Sequence, residues 1–267
     1  MNPSNRPVPE SLPAEFAEPL ARAADRLGPF GRSIRWYASV SSTNDVAAWL
    51  AERDAPEGCV VAAHEQSSGR GRQGRIWASP PGAGLYLSTV LRPRREAVRA
   101  LTVAAGVAVA EGIDAATGLE VALKWPNDVY AGARKLAGVL AEAGDAMAHV
   151  ILGIGINVMP AAYPPEVAPR ATSLEEELGR AVDRGLLLAE CLAALARRYG
   201  DLTQGRTPAV IDAWRRQAAR TLGRRVRWEE AGAAAEGVAE DIDATGALLV
   251  RTSAGVVTVT AGEVLWL

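Results

Sequence analysis

The chain is 267 residues long and sets 29 Lys and Arg against 31 Asp and Glu, a formal net charge of -2, which excludes a global attraction to nucleic acid or to an anionic membrane. At 49% hydrophobic residues it has material for one large core, or for a large one and a small one. Cys59 and Cys191 belong to no C-x-x-C pair, and His64 and His149 are too few for a histidine-rich metal site, so buried free thiols in a reducing cytoplasm are expected.

Residues 1 to about 11 are polar and rich in proline and read as disordered. They lack the apolar segment of a signal peptide, and no later stretch reads as long enough to span a bilayer. A short amphipathic helix is expected over residues 12–27, closed by Gly28 and Pro29. The strand "SIRWYASV" follows, then a helix capped by Ser42 or Thr43 and running to about residue 53. Two strands, "CVVAAHE" and residues 85–91, flank a glycine loop. A long Ala/Val helix over residues 94–116 is apolar enough to pack deeply against a sheet.

Next, "VALKW", a turn at "PNDVYAGA" and "RKLAGVLAEA" read as a hairpin, and "HVILGIGINV" as the next strand. A proline-rich loop over residues 160–171 leads to "TSLEEELG", a helix start with Thr172 and Glu175 as a capping box. Helices are expected over residues 184–199 and 208–222. From Gly223 onward short strands alternate with glycine and acidic turns, which predicts a small β-barrel. The basic clusters "RPRREAVR" and "RRQAARTLGRRVRW" are interleaved with aliphatic residues and read as solvated faces.

The loop "GRGRQG" satisfies G-x-G-x-x-G, the phosphate-binding turn of dinucleotide folds. That turn must open a helix. Here Pro80, Pro81, Gly82 and Gly84 interrupt the chain before the next strand, so the dinucleotide reading fails on context. What remains is a strand-to-strand loop whose glycines allow close backbone approach and whose Arg70, Arg72 and Arg75 present donor forks to an anion.

Three further stretches fall where strands end or turn: SSTN at 41–44, KWPNDVYAGARKLAG at 124–138 and GIGIN at 153–157. Each alone has an ordinary explanation as a helix cap, a Pro-Asn-Asp turn or close strand packing. Together with the loop they supply hydroxyls, arginines, two lysines and backbone N–H groups freed by glycine. That collection suits a ligand with polar and anionic parts.

In this combination and order the sequence resembles the biotin protein ligases, over residues from about 33 to 267. The family activates biotin with ATP and attaches it to a lysine of a carrier protein. The resemblance implies that Ser42, Thr43, Asn44 and Gln66 meet the biotin ureido ring, and that residues 69–75 form a biotin-binding loop that closes over the adenylate. It implies that Arg70 and Arg72 hold the reacting phosphate and carboxylate, that Trp77 packs near the adenine, and that Lys135 bridges carboxylate and α-phosphate. Gly69, Gly138, Gly153, Gly155 and Asn157 are expected to line the ligand, with Arg75, Lys124 and Asn127 on its ATP side. Asp128 is expected to position or deprotonate the carrier lysine, with turn stabilisation as the open alternative. Gln73 stands where a basic residue is frequent in relatives, which implies little consequence for the chemistry but slower or looser loop closure.

The implied fold is α+β: a mixed-sheet catalytic domain over residues 33–222, an N-terminal extension over 1–32 and an SH3-like domain over 223–267. ATP and Mg²⁺ are the implied cofactors, the metal held mainly by phosphate oxygens with one or two carboxylates. The implied partner is the biotin carboxyl carrier protein or domain of acetyl-CoA carboxylase or a related enzyme. Neither nucleic acid nor membrane is expected as a partner, and monomer and homodimer stay open. Two rivals remain. A lipoate or octanoate ligase would share the fold, and a biotin-responsive repressor would need a winged-helix domain that the short Pro-rich stretch before the first strand does not accommodate.

Overall fold

Short apolar runs build the main sheet, whose central strands are buried along almost their whole length because both faces are covered. The structure, a computed structural model, describes residues 7–144, 147–161, 163–230, 233–260, 262 and 264–267. Seven strands, β1 (Ile34–Val40), β2 (Val60–Gln66), β3 (Gly84–Leu91), β4 (Ala122–Lys124), β5 (Asp128–Ala131), β6 (Arg134–Ala143) and β7 (Val150–Asn157), form one sheet in the order β1-β2-β3-β7-β6-β5-β4. Only β1 and β2 run parallel, joined by the crossover helix α2 (Thr43–Ala51), and the other neighbours pair antiparallel.

One face of the sheet carries the main core. The helices α1 (Ala14–Arg22), α3 (Arg95–Thr117), α5 (Arg184–Thr203) and α6 (Thr207–Ala218) pack there, with Leu152, Ile154 and Ile156 of β7 among the residues they cover. A Cβ on Gly112 would lie 2.6 Å from the Cys191 Cα, so α3 and α5 approach backbone to backbone, and Cys191 is buried at that crossing. By length and composition α3 could cross a bilayer, which the sequence reading had not expected; 72% of its most apolar window is buried inside the protein. On the other face α2 seals a smaller core of Val46, Ala47 and Leu50 against Val61, Val90 and Ile151.

The C-terminal strands β8 (Arg225–Glu230), β9 (Ala233–Ile242), β10 (Leu248–Thr252), β11 (Gly255–Val259) and β12 (Val264–Trp266) form a five-stranded antiparallel sheet in the order β11-β10-β9-β8-β12. This is the small all-β unit that the short strands predict and that the family resemblance implies to be SH3-like. Its Val226, Ile242, Leu248 and Val250 join the main core.

Several expectations need correction. The first helix ends at Arg22 rather than near residue 27, and the chain reaches Gly28 through turns. Within the stretch read as disordered, the Glu10 N–H donates to the Trp36 carbonyl at 2.8 Å, while residues 1–6 lie outside the described residues. The "turn" at PNDVYAGA contains β5: Val129 and Tyr130 favour extended backbone, and Gly132, at φ 56, makes the actual reversal. The cap of α4 (Leu174–Leu178) is Ser173, which accepts from the Glu176 N–H, while the Glu175 carboxylate serves Val182 and the Thr172 hydroxyl serves Glu177.

Candidate active site

Side chains on a strand alternate between faces, so Gly153, Gly155 and Asn157 of β7 share the face opposite the helical core. In register beside them lie Gly138 on β6, opposite Gly155, and Ser88 on β3, opposite Gly153. Three adjacent glycines leave a floor without side chains, and two neighbouring groups use it. A Cβ on Gly153 would lie 2.3 Å from the Asn44 Oδ1, and one on Gly155 would lie 2.5 Å from the Trp77 Nε1. A Cβ on Gly138 would reach the Trp77 ring at 3.1 Å and the Lys135 Nζ at 3.4 Å.

The N-terminus of α2 brings hydroxyl and amide groups over one end of this floor. Ser42 occupies the N-cap position, yet its side chain makes no capping bond. Ser42, Thr43 and Asn44 are all buried. Thr43 donates its backbone N–H to the Gln66 Oε1 at 2.8 Å, and its hydroxyl lies 3.0 Å from the same atom and 2.7 Å from the Ser88 Oγ. Asn44 accepts from Ser88 and donates to Glu142 at 2.5 Å. Gln66 donates onward to the Ser79 Oγ at 2.8 Å. These bonds organise a buried polar pocket, since unpaired groups there would cost about 1 to 3 kcal/mol each.

At the other end stand the cations. The Lys135 Nζ lies 2.6 Å from the Asp128 Oδ1 and 5.4 Å from the centre of the Trp77 ring. The Lys124 Nζ sits 3.9 Å over the Tyr130 ring. Burial, with the nearby Arg224 cation, holds the Lys124 ammonium below its ordinary pKa, and Asp128 opposes the shift. Burial pushes the Tyr130 hydroxyl up to about 12. The indole N–H of Trp77 is buried without a hydrogen-bond partner among the described residues. An acceptor supplied by a ligand would satisfy it.

The glycine loop closes over the site as a short ladder. Trp77 N–H donates to the Gly69 carbonyl at 2.9 Å and Gly71 N–H to the Arg75 carbonyl at 2.7 Å. Its tip has two successive left-handed residues, Gln73 at φ 56 and Gly74 at φ 72. Gly69 is required sterically, because a Cβ there would lie 2.4 Å from the Trp77 carbonyl. The strand that follows, β3, pairs antiparallel with β2, and the loop contains only a three-residue 3₁₀ turn, Arg72–Gly74. That topology excludes a dinucleotide turn. Arg70 pairs with Asp45 at 2.9 Å and Glu142 at 3.0 Å. Arg72 donates to the Asn127 Oδ1 at 3.2 Å and to the Gly262 carbonyl of the C-terminal unit at 3.1 Å.

A family model described as the biotin/lipoate A/B protein ligase family matches residues 36–157, and one for the biotin protein ligase C-terminal domain matches residues 221–266. A biotin--[acetyl-CoA-carboxylase] ligase of Mycobacterium tuberculosis is 38% identical over 88% of this chain and 90% of its own. The bifunctional ligase/repressor BirA of Bacillus subtilis is 35% identical over 91% of this chain and 77% of its own length. The Aquifex aeolicus biotin protein ligase, solved with biotin and ATP, superimposes with a TM-score of 0.76 at 28% identity, covering 88% of this chain and 99% of that one. The chain belongs to the biotin/lipoate protein ligase family.

Within that family's frame the fold gathers Thr43, Asn44, Gln66, Gly69, Gly138, Gly153, Gly155, Trp77, Lys135, Asp128 and Lys124 on one sheet face. Asn157 is buried at the edge of that face, its amide donating to the Thr172 carbonyl at 2.9 Å beside Lys135. Arg75 is exposed at the rim of the loop. Arg70 faces two carboxylates rather than the lysines, and Arg72 reaches away from them toward the C-terminal unit. Sequence reasoning missed Ser88 and Glu142. For the first the sequence offers only a Ser-Thr pair inside the otherwise apolar run GLYLSTVL, which does not say what Ser88 meets. Glu142 gives no comparable signal, because a carboxylate near a strand end reads as solvated. A cavity of about 610 Å³ between α1 and β1, lined by Leu20, Leu27 and Ile34, lies apart from all of these residues.

Proposed function

We propose that this chain is an ATP-dependent biotin protein ligase that makes biotinyl-5′-AMP and passes the biotinyl group to a lysine of a carboxylase carrier domain. One observation carries the reading: a buried pocket of polar side chains and a pair of lysines stand at opposite ends of one glycine floor. A bicyclic urea acid has that polarity, with hydrogen-bonding groups at its head and a carboxylate at its tail.

In the first step a carboxylate oxygen of biotin attacks the α-phosphorus of ATP and pyrophosphate leaves. Two anions must approach, so fixed cations lower the barrier. We assign this role to Lys135; Arg70, paired with Asp45 and Glu142, and Arg72, bonded to Asn127 and the Gly262 carbonyl, reach the phosphate only by exchanging those partners. Asp128 holds the Lys135 ammonium in place until substrate arrives. In the second step a carrier lysine attacks the acyl carbon, AMP leaves, and the amine loses a proton. The loop shields the mixed anhydride from water. Asp128 is the carboxylate this end offers for the proton or for positioning the amine.

Among the described residues no group of three or more His, Cys, Asp or Glu forms a metal cluster. Mg²⁺ arriving on the phosphates of ATP would need only one or two protein carboxylates, and Asp128, now paired with Lys135, is the one at this end that would face it. When bound, the ion neutralises charge on the leaving pyrophosphate. We place the reaction in the cytoplasm, on the carrier of acetyl-CoA carboxylase or a related enzyme.

The experiment is exchange of labelled pyrophosphate into ATP with biotin, lipoate or octanoate as the acid. Exchange with biotin alone is expected. Exchange only with lipoate or octanoate would move the chain to the sister activity, and no exchange with any acid would remove the adenylation step.

A further inference from the structure

Glu142 lies on β6, four residues beyond Gly138 and therefore on the same face of the sheet. As a carboxylate it only accepts hydrogen bonds. It takes one from the Asn44 Nδ2 at 2.5 Å and one from Arg70 at 3.0 Å. This leaves the Asn44 amide a single orientation, with Nδ2 toward Glu142 and Oδ1 toward Ser88. The amide oxygen also only accepts, so Ser88 commits its one proton there.

The consequence passes to Thr43. Its hydroxyl has one proton and two neighbouring acceptors, the Ser88 Oγ at 2.7 Å and the Gln66 Oε1 at 3.0 Å. The Thr43 backbone N–H fixes the Gln66 amide in turn, at 2.8 Å from Oε1. Whichever acceptor takes the proton, the Thr43 oxygen meets a ligand as an acceptor. The second proton of the Asn44 Nδ2 meets it as a donor. A cyclic urea presents the complement, N–H donors flanking a carbonyl acceptor. Lipoate and octanoate present neither and would leave these buried groups unpaired.

We propose that Glu142 is a positioning residue which, through Asn44 and Ser88, sets the donor and acceptor pattern that selects a cyclic urea acid over an acid with an apolar head. The inference rests on the biotin ligase reading and names the source of its specificity.

The test compares wild type, Glu142→Ala, Glu142→Gln and Ser88→Ala as full chains in acid-dependent pyrophosphate exchange with biotin, lipoate and octanoate. Alanine removes both the acceptor for Asn44 and the charge facing Arg70, whereas glutamine keeps a carbonyl acceptor and loses only the charge. Glu142→Ala is expected to raise the KM for biotin roughly tenfold. It should leave the KM for ATP within about twofold and narrow the preference for biotin over lipoate by a similar factor. Glu142→Gln should recover most of the loss. Ser88→Ala, which leaves Arg70 untouched, should narrow the same preference. A glutamine variant as weak as alanine would assign the effect to the Arg70 ion pair and overturn the proposal. Equal losses on every acid would overturn it too. If wild type shows no preference for biotin, the underlying reading fails and takes the inference with it. If wild type shows the preference and Glu142→Ala keeps it whole, the inference alone fails.

Discussion

A single methyl group is the smallest probe of the glycine floor. In Gly155→Ala the new Cβ would sit 2.5 Å from the Trp77 Nε1 and 2.6 Å from its Cε2, so the indole must move. The closest contact in Gly138→Ala is 3.1 Å, which a small shift relieves. Gly155→Ala is therefore expected to weaken biotin binding by about tenfold or more, and Gly138→Ala by less. Equal, wild-type affinities in calorimetry would show that no ligand uses the floor. The cation end gives a separate prediction: Lys135→Ala should slow adenylate formation by about 10²- to 10³-fold. Lys135 is only partly buried, so its melting point should stay within about 2 °C of wild type. Near-normal exchange would remove Lys135 from the site. Much at this scale was legible, because GIGIN spaces its glycines at the strand period and KWPND with RKLAG brings lysine and aspartate to paired strands. Ser88 and Glu142 were not, since their partners Asn44 and Arg70 come from other elements and meet them only after the sheet forms.

At the scale of elements, periodicity revealed the long helices and most strands, but short-range chemistry was misassigned where two candidates adjoin. Thr172 and Ser173 both resemble caps, and backbone geometry chose Ser173; Val129 and Tyr130 were hidden between a Pro-Asn-Asp turn and a glycine. What the helical pattern does not disclose is how α3 and α5 are held. Glu111 on α3 receives Arg197 at 2.7 Å and the Arg198 Nε at 3.0 Å, both from α5. Burial pushes the Glu111 carboxyl up, but hydrogen bonds from Arg198 and Arg197 outweigh it and hold its pKa below the ordinary value. A depressed carboxylate contributes stability that is full above its unfolded pKa of about 4.3 and is lost as pH falls through the lower folded value. Glu111→Gln is expected to cost about 1 to 2 kcal/mol at neutral pH. Its deficit relative to wild type should shrink in acid, as wild-type Glu111 becomes protonated. Denaturant melts at neutral and acid pH measure this, and a deficit that stays constant would mean the ion pairs are not its source.

The whole molecule depends on how the C-terminal sheet docks, and the sequence was silent there. A change to short strands after Gly223 announces a small β unit, but not which residues it touches. Trp125, buried beside the KWPND turn, donates its indole N–H to the Gly246 carbonyl at 2.8 Å, while Arg72 of the glycine loop reaches the Gly262 carbonyl. A cavity of about 210 Å³ lies in this junction, lined by Arg72, Trp125, Pro126, Gly246 and Thr260. The small unit thus fixes both the turn that carries Asn127 and the arginine that pairs with it. Trp125→Phe keeps most of the apolar bulk and deletes the one hydrogen bond, leaving a buried carbonyl unpaired at a cost of about 1 to 2 kcal/mol. The melting point should fall by roughly 2 to 8 °C. Because the junction lies beside Arg72 and Asn127 and away from the Thr43–Asn44 pocket, the KM for ATP should rise more than the KM for biotin. A lower melting point with both constants unchanged would make the docking purely structural. An unchanged melting point would mean that the Trp125–Gly246 bond does not hold the two sheets together.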